Sequence, residues 1–279
     1  MNIMVTGAAG GYGSLALEHL KRFAPNDNIF ALVRNNRKKA ELEAKGFIVR
    51  VADYADINSM VQAFSGIDRL LFVSVPVFEL QKNVVEAIRK SGIKFVAYTS
   101  LCQPDYSKFG LEINHNKTEA LISSTGIPHT FLRNNWYTEL ILPFLTAAAK
   151  SGDFPYYAKD AKVAWAAKTD LAEAGAKVIS GGEYPEILEL SGNAVTFAEL
   201  AKDVASAGYE MNIRQVSKGE FANAMRKTDI SDMGLMLAVS YQDYAINGNN
   251  GEAELTANVL ESVIGHKLIS AADMLKAMI

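Results

Sequence analysis

The chain has 279 residues, of which 49% are hydrophobic and 21% charged, and its formal net charge at pH 7 is −3. These values are ordinary for a globular protein and give no sign of a polyanion-binding surface, so a nucleic-acid partner is not expected. A single cysteine, Cys102, excludes an internal disulfide, and the four histidines lie too far apart in sequence to form a local metal motif, so no metal is expected.

The chain carries no segment that is typical of a membrane anchor or a signal peptide. The apolar run LLFVSVPVF (70–78) contains a proline and is shorter than the roughly 20 residues that a membrane-spanning helix needs. The N-terminus has no basic leader and moves at once into a glycine motif. We therefore expect no membrane partner and a reduced, cytoplasmic location.

The first half of the chain alternates short apolar runs with longer helical patterns. The runs are NIMVTG, NIFALVR, FIVRVAD, DRLLFVSV, KFVAYTSL and HTFLRNN, and they are apolar almost throughout. Such strands are typical of a parallel sheet that is covered on both faces. The sequence therefore predicts an α/β, doubly wound parallel sheet (Rossmann fold) over residues 1–152. A smaller C-terminal α/β lobe is expected over residues 153–279, interleaved with the first domain.

The first predicted strand runs into GAAGGYG, which places glycines at 7, 10 and 13 between a strand and a helix. Glycines there allow a tight turn and a close approach to a pyrophosphate, which then faces the positive end of the helix. Glycine also marks ordinary turns, but the position between the first strand and the first helix favours a dinucleotide site. The predicted cofactor contacts in this loop are Gly7, Ala9, Gly10, Gly11, Tyr12 and Gly13.

The second strand ends in ALVR, so that Arg34 stands where a cofactor without the extra phosphate usually meets an acidic residue. An arginine there can stack on adenine and bind a 2′-phosphate, with Arg37 or Lys38 as additional charge. This favours NADP(H) over NAD(H). The alternative is a solvated basic start of a helix.

Polar residues follow the third, fourth and fifth strands, where ligands of this fold bind. Asp53 and Tyr54 can contact adenine, and Asp56 is in a position to cap the next helix. Small hydroxyl groups after the next two strands can orient ribose or substrate. Alternatively, they only form hydrogen bonds within the protein at the strand end. The candidates at these two strand ends are Ser74, Val75, Pro76, Thr99 and Ser100.

Beyond about residue 150 the pattern changes to one short strand for each pair of helices. Three helix starts carry a hydroxyl residue followed three positions later by an acid, which is the pattern of a capping box: Thr196 with Glu199, Ser217 with Glu220 and, more weakly, Ser270 with Asp273. The stretch INGNNGEAE (246–254) is predicted to be a surface loop.

The first 150 or so residues resemble the NmrA-like group of atypical short-chain dehydrogenases/reductases, in particular its bacterial NAD(P)H:quinone oxidoreductase and triphenylmethane reductase branch. The resemblance rests on VTGAAGGYG, ALVRN, VADYAD, FVAYTSL, HNKTEAL and above all GIPHTFLRNNWYTE (126–139). It implies that the glycine loop, Arg34, Asp53, Tyr54 and Ser74 hold the cofactor. It also implies that Asn134, Asn135, Trp136 and Tyr137 lie beside the nicotinamide and substrate, with His115 at the mouth.

A Trp-Tyr pair just beyond a strand also suits a flat aromatic guest, independently of any family. Core packing under the lobe is the competing explanation for Trp136 and Tyr137. Phe78, which follows Pro76, is a further candidate wall of the substrate site.

The catalytic Tyr-x-x-x-Lys pattern of the wider superfamily is incomplete, because Ile113 precedes Lys117 in place of the tyrosine. Reduction of an ordinary ketone gives an alkoxide, whose conjugate acid is about as weak as water with a pKa of about 15.7, so a proton donor matters. Reduction of a quinone places the charge on a phenolate-like oxygen with a pKa of about 10, which water can protonate. The missing tyrosine therefore favours a quinone-type acceptor.

His115 is a candidate proton donor, although a loop histidine is more often solvated. Lys117 can hold ribose hydroxyls or can be a solvated helix lysine. Together with Ser100, these residues form the candidate catalytic set.

The first hypothesis is an NADPH-dependent oxidoreductase that transfers hydride to a quinone or a similar electrophilic aromatic molecule. The alternative is a redox-sensing regulator that binds NADP(H) without turnover. A nucleotide-sugar epimerase or dehydratase is disfavoured by Ile113. The sequence leaves open whether the protein is a monomer or a homodimer.

Overall fold

The computed structural model describes residues 1–278, which form two compact units. The first unit comprises residues 1–134 and 171–190. It contains a seven-stranded sheet in the order β10-β6-β5-β4-β1-β2-β3. The strands are β1 (Asn2–Val5), β2 (Asn28–Val33), β3 (Ile48–Val51), β4 (Arg69–Phe72), β5 (Phe95–Leu101), β6 (His129–Asn134) and β10 (Ile187–Leu190).

Every strand pairing in this sheet is parallel, and the order reverses between β1 and β4. The predicted doubly wound fold and its six N-terminal strands are confirmed. The connecting helices are α1 (Gly11–Phe23), α2 (Lys39–Ala44), α3 (Ile57–Phe64), α4 (Phe78–Arg89), α5 (Leu111–Ser123) and α7 (Lys168–Ser180, which belongs to this unit from Leu171 on).

Apolar strand residues explain why the sheet is buried. Met4, Leu70 and Tyr98 are fully buried in one cluster that also includes Phe64 and Phe72. This cluster draws on β1, β4 and β5 together with α3, and it fixes the strands whose carboxyl ends carry the polar candidates. Burial of each large apolar side chain contributes about 1.5–3 kcal/mol, so the cluster is a main source of the unit's stability.

The second unit comprises residues 135–170 and the chain from residue 191 onward. It has a three-stranded sheet in the order β11-β9-β7 and a two-stranded sheet of β12 and β8. Its elements are β7 (Trp136–Tyr137), α6 (Leu142–Ser151), β8 (Asp153–Tyr156), β9 (Lys162–Ala166), β11 (Ala194–Thr196), α8 (Phe197–Ser206), β12 (Asn212–Gln215), α9 (Lys218–Met225), α10 (Asp232–Asn247), α11 (Asn258–Ile264) and α12 (Ala271–Lys276).

The two units differ from the predicted division at residue 152. The chain leaves the first unit after Asn134 and returns to it at Leu171. The return has a physical reason, because β10 pairs with β6 in parallel register and extends the large sheet by one strand. This strand lies outside the regular N-terminal alternation from which the domain boundary was predicted.

The helix starts of the second unit follow the sequence signals. Thr196 and Ser217 form complete capping boxes with Glu199 and Glu220. Ser270 accepts from the Asp273 amide, so the weaker third signal is also a cap.

The predicted surface loop 246–254 is wrong in two respects. Helix α10 continues to Asn247, and the side chains of Asn250 and Glu252 are buried. The buried carboxylate of Glu252 has its own set of donors in the second unit, which polar composition alone does not indicate. Among residues 1–278, no helix is long and apolar enough to cross a membrane.

Candidate functional site

A groove of about 400 Å³ opens beside the carboxyl ends of β1, β2 and β4 in the first unit. It lies at the point where the strand order reverses, which is where open α/β sheets bind their ligands. The groove brings together most of the predicted cofactor residues: Gly7, Ala9, Gly10, Gly11, Tyr12, Gly13, Arg34, Asp53, Tyr54, Ser74 and Val75. Sequence reasoning missed the apolar lining that comes from the glycine loop, the ends of β2 and β4 and the first turn of α4: Ala8, Leu32, Val33, Val73 and Leu80.

The glycine loop can exist only with small residues at its turning points. Gly7 has a φ of +57°, and a Cβ atom at Gly13 would lie 2.4 Å from the Gly7 carbonyl oxygen. Helix α1 starts here with Gly10 at its N-cap, without a side-chain cap and without an acidic residue in its first turn. Its first amides are therefore available to an anion, and the positive end of the helix dipole favours one.

Arg34 has the freedom that a phosphate-binding arginine requires. Its side chain is exposed at the edge of the groove and has no hydrogen bond or ion pair within residues 1–278. Lys38 differs, because its ammonium forms an ion pair with Glu41 at 2.6 Å. Of the predicted basic residues, Arg34 is the one that lines the groove.

The two aspartates that follow β3 have different positions: Asp53 lies in the groove, and Asp56 caps a helix. Asp53 lines the groove, and its Oδ1 accepts a hydrogen bond from the Ala55 amide at 2.9 Å. Asp56 caps α3 by accepting from Asn58 and Ser59. Tyr54 also lines the groove, and burial raises the pKa of its hydroxyl.

Ser74 and Thr99 form a hydroxyl pair between β4 and β5. Thr99 Oγ1 accepts from the Ser74 amide at 2.8 Å and donates to Ser74 Oγ at 3.1 Å. Ser74 lines the groove, whereas Thr99 is buried behind it. Thr99 therefore supports the groove through Ser74. Tyr12 also lines the groove, and its hydroxyl donates to the Leu171 carbonyl at 2.9 Å.

Ser100 and Asn134 hold buried polar atoms that make no hydrogen bond to residues 1–278. Both residues are at least nine-tenths buried, and neither Ser100 Oγ nor the amide of Asn134 has a hydrogen-bond partner among residues 1–278. Buried polar groups are almost always satisfied, so each position suits a water molecule or a ligand group. Both residues stand near the carboxyl ends of their strands, and neither lines the groove itself.

His115 lies on α5 and hydrogen-bonds to a buried tyrosine. Its Nδ1 is 3.1 Å from the Tyr98 hydroxyl, and burial lowers the pKa of His115 to about 4. The imidazole is therefore neutral at pH 7. Its predicted role as a proton donor is not favoured by this pKa, because the charged acid form is rare under those conditions.

Ile113 and Lys117 occupy the positions of the superfamily's tyrosine and lysine. Ile113 is 53% exposed. Lys117 is also exposed, with its Nζ 5.3 Å from the centre of the Phe78 ring. This contact places Lys117 beside one predicted substrate wall. The predicted catalytic roles of Lys117, Ser100 and His115 remain predictions.

The predicted substrate residues fall into both units. Pro76 and Phe78 belong to the first unit, where the Pro76 carbonyl accepts from Asn114 Nδ2 at 3.1 Å. The second unit contains Asn135, Trp136 and Tyr137.

Asn135 and Trp136 are buried and hydrogen-bond to the carboxylate of Glu252, a partner that the sequence did not indicate. Asn135 Nδ2 and Trp136 Nε1 donate to the two oxygens of Glu252 at 3.0 and 3.1 Å. The Trp136 ring also packs edge-on against Tyr241 and Tyr244. These contacts favour the core-packing alternative for Trp136. Nothing in the Asn/Gly-rich segment signals that its acid turns inward.

Tyr137 is the most accessible of these three residues. Its side chain is half-buried, and the Lys168 ammonium lies 5.0 Å from the ring centre. Burial raises the pKa of its hydroxyl to about 12. A substrate contact through this ring remains a prediction.

The groove fits a phosphorylated dinucleotide on its own geometry. It combines three features: a glycine loop at the start of a 13-residue helix that has no side-chain cap, an arginine with no ion pair to residues 1–278, and an apolar lining. An amide cradle binds phosphate, and an arginine fork binds a second phosphate with directional hydrogen bonds.

Known proteins resemble the chain in both sequence and architecture. The family model described as "NmrA-like family" matches residues 1–263. Quinone oxidoreductase 2 of Escherichia coli (strain K12) is 34% identical over 278 residues, which cover 97% of this chain and 96% of that protein.

Two solved structures resemble the chain over nearly its whole length. One is the NADPH-dependent quinone oxidoreductase of E. coli complexed with NADPH, with a TM-score of 0.83, 33% identity and 99% of each chain covered. The other is the Citrobacter sp. triphenylmethane reductase complexed with NADP(H), with a TM-score of 0.86, 31% identity and 100% of each chain covered. With the family model matched over most of its length, the chain belongs to the NmrA-like family.

Proposed function

We propose that the chain is an NADPH-dependent oxidoreductase that reduces a quinone or a similar electrophilic aromatic molecule. The observation that carries the cofactor choice is Arg34, which lines the groove at the end of β2 and has no protein partner among the described residues. The relatives add weight, because one is named for quinone reduction and another is named an NAD(P)H azoreductase.

The groove residues have distinct roles in this proposal. The amides at the start of α1 hold the pyrophosphate, and Arg34 binds the 2′-phosphate. Asp53 and Tyr54 contact the adenine end, while Ser74 and Val75 contact the ribose nearest the nicotinamide. When bound, NADPH supplies the hydride, and the protein's task is to hold the acceptor against it.

The proposed acceptor class is supported by two positions that do not supply an acid at pH 7. Ile113 replaces the superfamily's tyrosine, and the low pKa of His115 leaves its imidazole neutral. A phenolate-like product with a pKa of about 10 is stable enough to form without a positioned acid and to be protonated afterwards, whereas an alkoxide is so basic that its formation requires a proton donor in the transition state. Quinones and related aromatic electrophiles are therefore the acceptors that these residues suit.

Steady-state loss of NADPH absorbance in the presence of simple benzoquinones and naphthoquinones tests this proposal. We expect turnover that is saturable in both NADPH and the quinone and proportional to protein concentration. Tight NADPH binding with no turnover across the acceptor panel would instead identify a nucleotide-sensing regulator.

A further inference from the structure

A buried chain of polar side chains links α4, β5 and α5 in the first unit. The Tyr98 hydroxyl is 2.8 Å from Gln81 Oε1 and 3.1 Å from His115 Nδ1. Gln81 and Tyr98 are fully buried, and the Tyr98 ring is held by Phe72 at a centroid distance of 5.0 Å. Thr118 also hydrogen-bonds to this hydroxyl. Because Thr118 Oγ1 donates its own proton to the Asn114 carbonyl at 2.8 Å, it can only accept from Tyr98. The hydroxyl therefore has a fixed position, and only its single proton remains to be assigned.

The identity of the neighbouring atoms favours one assignment of that proton. Gln81 presents its Oε1 to the hydroxyl at 2.8 Å, and because an amide oxygen can only accept, Tyr98 donates to it. Having given its proton to Gln81, the hydroxyl can only accept from His115, and 3.1 Å is normal for an N–H···O bond. Rotation of the Gln81 amide would reverse both bonds, which makes the assignment testable.

This direction of hydrogen bonding decides which nitrogen His115 offers to a ligand. A neutral imidazole carries one proton, so a protonated Nδ1 leaves Nε2 as an acceptor. The ring is half-buried, and its Nε2 makes no hydrogen bond to another residue of the stretch 1–278. The adjacent Asn114 donates to the Pro76 carbonyl, which ties this turn of α5 to the segment that follows the groove residues Ser74 and Val75.

We propose that Tyr98 is a positioning residue that fixes His115 as the Nδ1–H tautomer, and that Nε2 accepts a hydrogen bond from a hydroxyl on the aromatic acceptor. The identity of the ligand rests on the proposed function, whereas the tautomer does not. Quinones that carry a free phenolic hydroxyl are therefore the preferred substrate class over their methylated counterparts, because a methoxy group cannot donate.

The tautomer is tested by long-range ¹H–¹⁵N correlation spectra of the labelled protein at pH 7, with the His115 signals assigned by their loss in His115→Asn. We expect the pattern of an Nδ1-protonated neutral ring. In the double variant Gln81→Leu/Thr118→Val the Tyr98 hydroxyl loses both oxygen acceptors and is released to donate to His115, so the pattern should change to Nε2–H. Tyr98→Phe keeps the ring packing and should abolish the fixed preference. An Nε2–H pattern in the unmodified protein would overturn the inference.

The substrate preference is tested with two 1,4-naphthoquinones that differ only in a hydroxyl or methoxy group on the ring without the carbonyls. Loss of one neutral hydrogen bond corresponds to a change of about 2- to 10-fold, so we expect kcat/KM to favour the hydroxyl compound by that factor, mainly through KM. His115→Asn and Tyr98→Phe should reduce the preference. Tyr106→Phe, which removes an exposed tyrosine hydroxyl, should preserve it.

The outcomes separate this inference from the proposed function. Turnover of both quinones with the same ratio in the unmodified protein and in His115→Asn would overturn the role of Nε2 while the proposed function stands. Absence of turnover with either quinone would overturn the proposed function and the ligand assignment together, and the spectra would still decide the role of Tyr98.

Discussion

Arg34 is the residue on which the choice of cofactor depends. Arg34 lines the groove, is exposed and has no ion pair to any described residue, so its charge is available to a ligand. Arg34→Ala should weaken NADPH binding by roughly 10- to 100-fold, since a hydrogen bond to a charged group contributes about 1.5–3 kcal/mol. NADH lacks the 2′-phosphate and should lose much less affinity. Calorimetric titration of both dinucleotides measures the difference.

Arg226→Ala is the matched control, because it removes the same exposed charge from the second unit. It should leave both affinities unchanged. Equal weakening of NADPH and NADH in Arg34→Ala would contradict the assignment of Arg34 to the phosphate.

His115 connects the stability of the fold to pH. Burial lowers its folded-state pKa to about 4, whereas an unfolded histidine has a pKa of about 6.5. The unfolded chain therefore binds a proton more readily below pH 6.5, and the contribution of His115 to stability is lost as the pH falls from about 6.5 to about 4. Between pH 7 and pH 4.5 the free energy of unfolding should fall by about 2 kcal/mol more in the unmodified protein than in His115→Asn. Urea unfolding of both proteins at the two pH values measures this difference. Identical pH dependence would show that the histidine is not buried as described.

Individual residues were predictable where their chemistry repeats in a known local context. Arg34 follows a strand that ends at the expected place, and Thr196 and Ser217 stand three residues before an acid. Glu252 was not predictable, because its partners Asn135 and Trp136 lie more than one hundred residues earlier in the chain. The contact of Tyr98 with His115 was not predictable either, because a tyrosine inside an apolar strand is typically interpreted as a core-packing residue.

At the scale of elements, the glycine loop depends on close packing between the end of β1 and the start of α1. A Cβ atom at residue 13 would meet the Gly7 carbonyl oxygen at 2.4 Å, so Gly13→Ala must displace the helix or the loop. We expect a loss of stability of about 1–3 kcal/mol together with weakened NADPH binding. Gly92→Ala is the matched control, because nothing lies within 4 Å of its added Cβ atom. Urea unfolding measures both, and equal stabilities would contradict the packing described.

The segment after α10 is held by its buried acid. Glu252 accepts hydrogen bonds from Asn135, Trp136, Tyr244 and the Ala164 amide, so Glu252→Ala leaves several buried donors unsatisfied. The expected cost is about 2–5 kcal/mol, because each buried donor left without a partner costs about 1–3 kcal/mol. Glu254→Ala, two residues away and exposed, should cost less than about 0.5 kcal/mol. Similar unfolding midpoints for the two variants would contradict a stabilising role of Glu252 in this segment.

The elements differ in how far the sequence determines them. The six N-terminal strands were predictable because continuous apolar runs between helical patterns are typical of a parallel sheet. The pairing of β10 with β6 was not, because it joins strands that are separated by an excursion into another unit. Local patterns specify elements, whereas the contacts between distant segments depend on the whole chain.

At the scale of the whole molecule, binding of the dinucleotide should stabilise the fold. A ligand that binds only the folded state at 100 times its dissociation constant adds about 2.7 kcal/mol to the free energy of unfolding. Addition of NADPH should therefore raise the urea midpoint, and NADH at the same concentration should raise it less. No shift at saturating NADPH would contradict a site formed by the folded groove.

The central claim is that this chain passes the hydride of NADPH to a quinone-type acceptor without a dedicated acid. Anaerobic mixing of the protein with NADPH and 1,4-naphthoquinone, followed by absorbance at both chromophores, tests it most directly. We predict that one hydroquinone forms for each NADPH oxidised, at a rate proportional to protein concentration. Oxidation of NADPH no faster than in the protein-free mixture, under conditions in which NADPH is bound, would contradict the account.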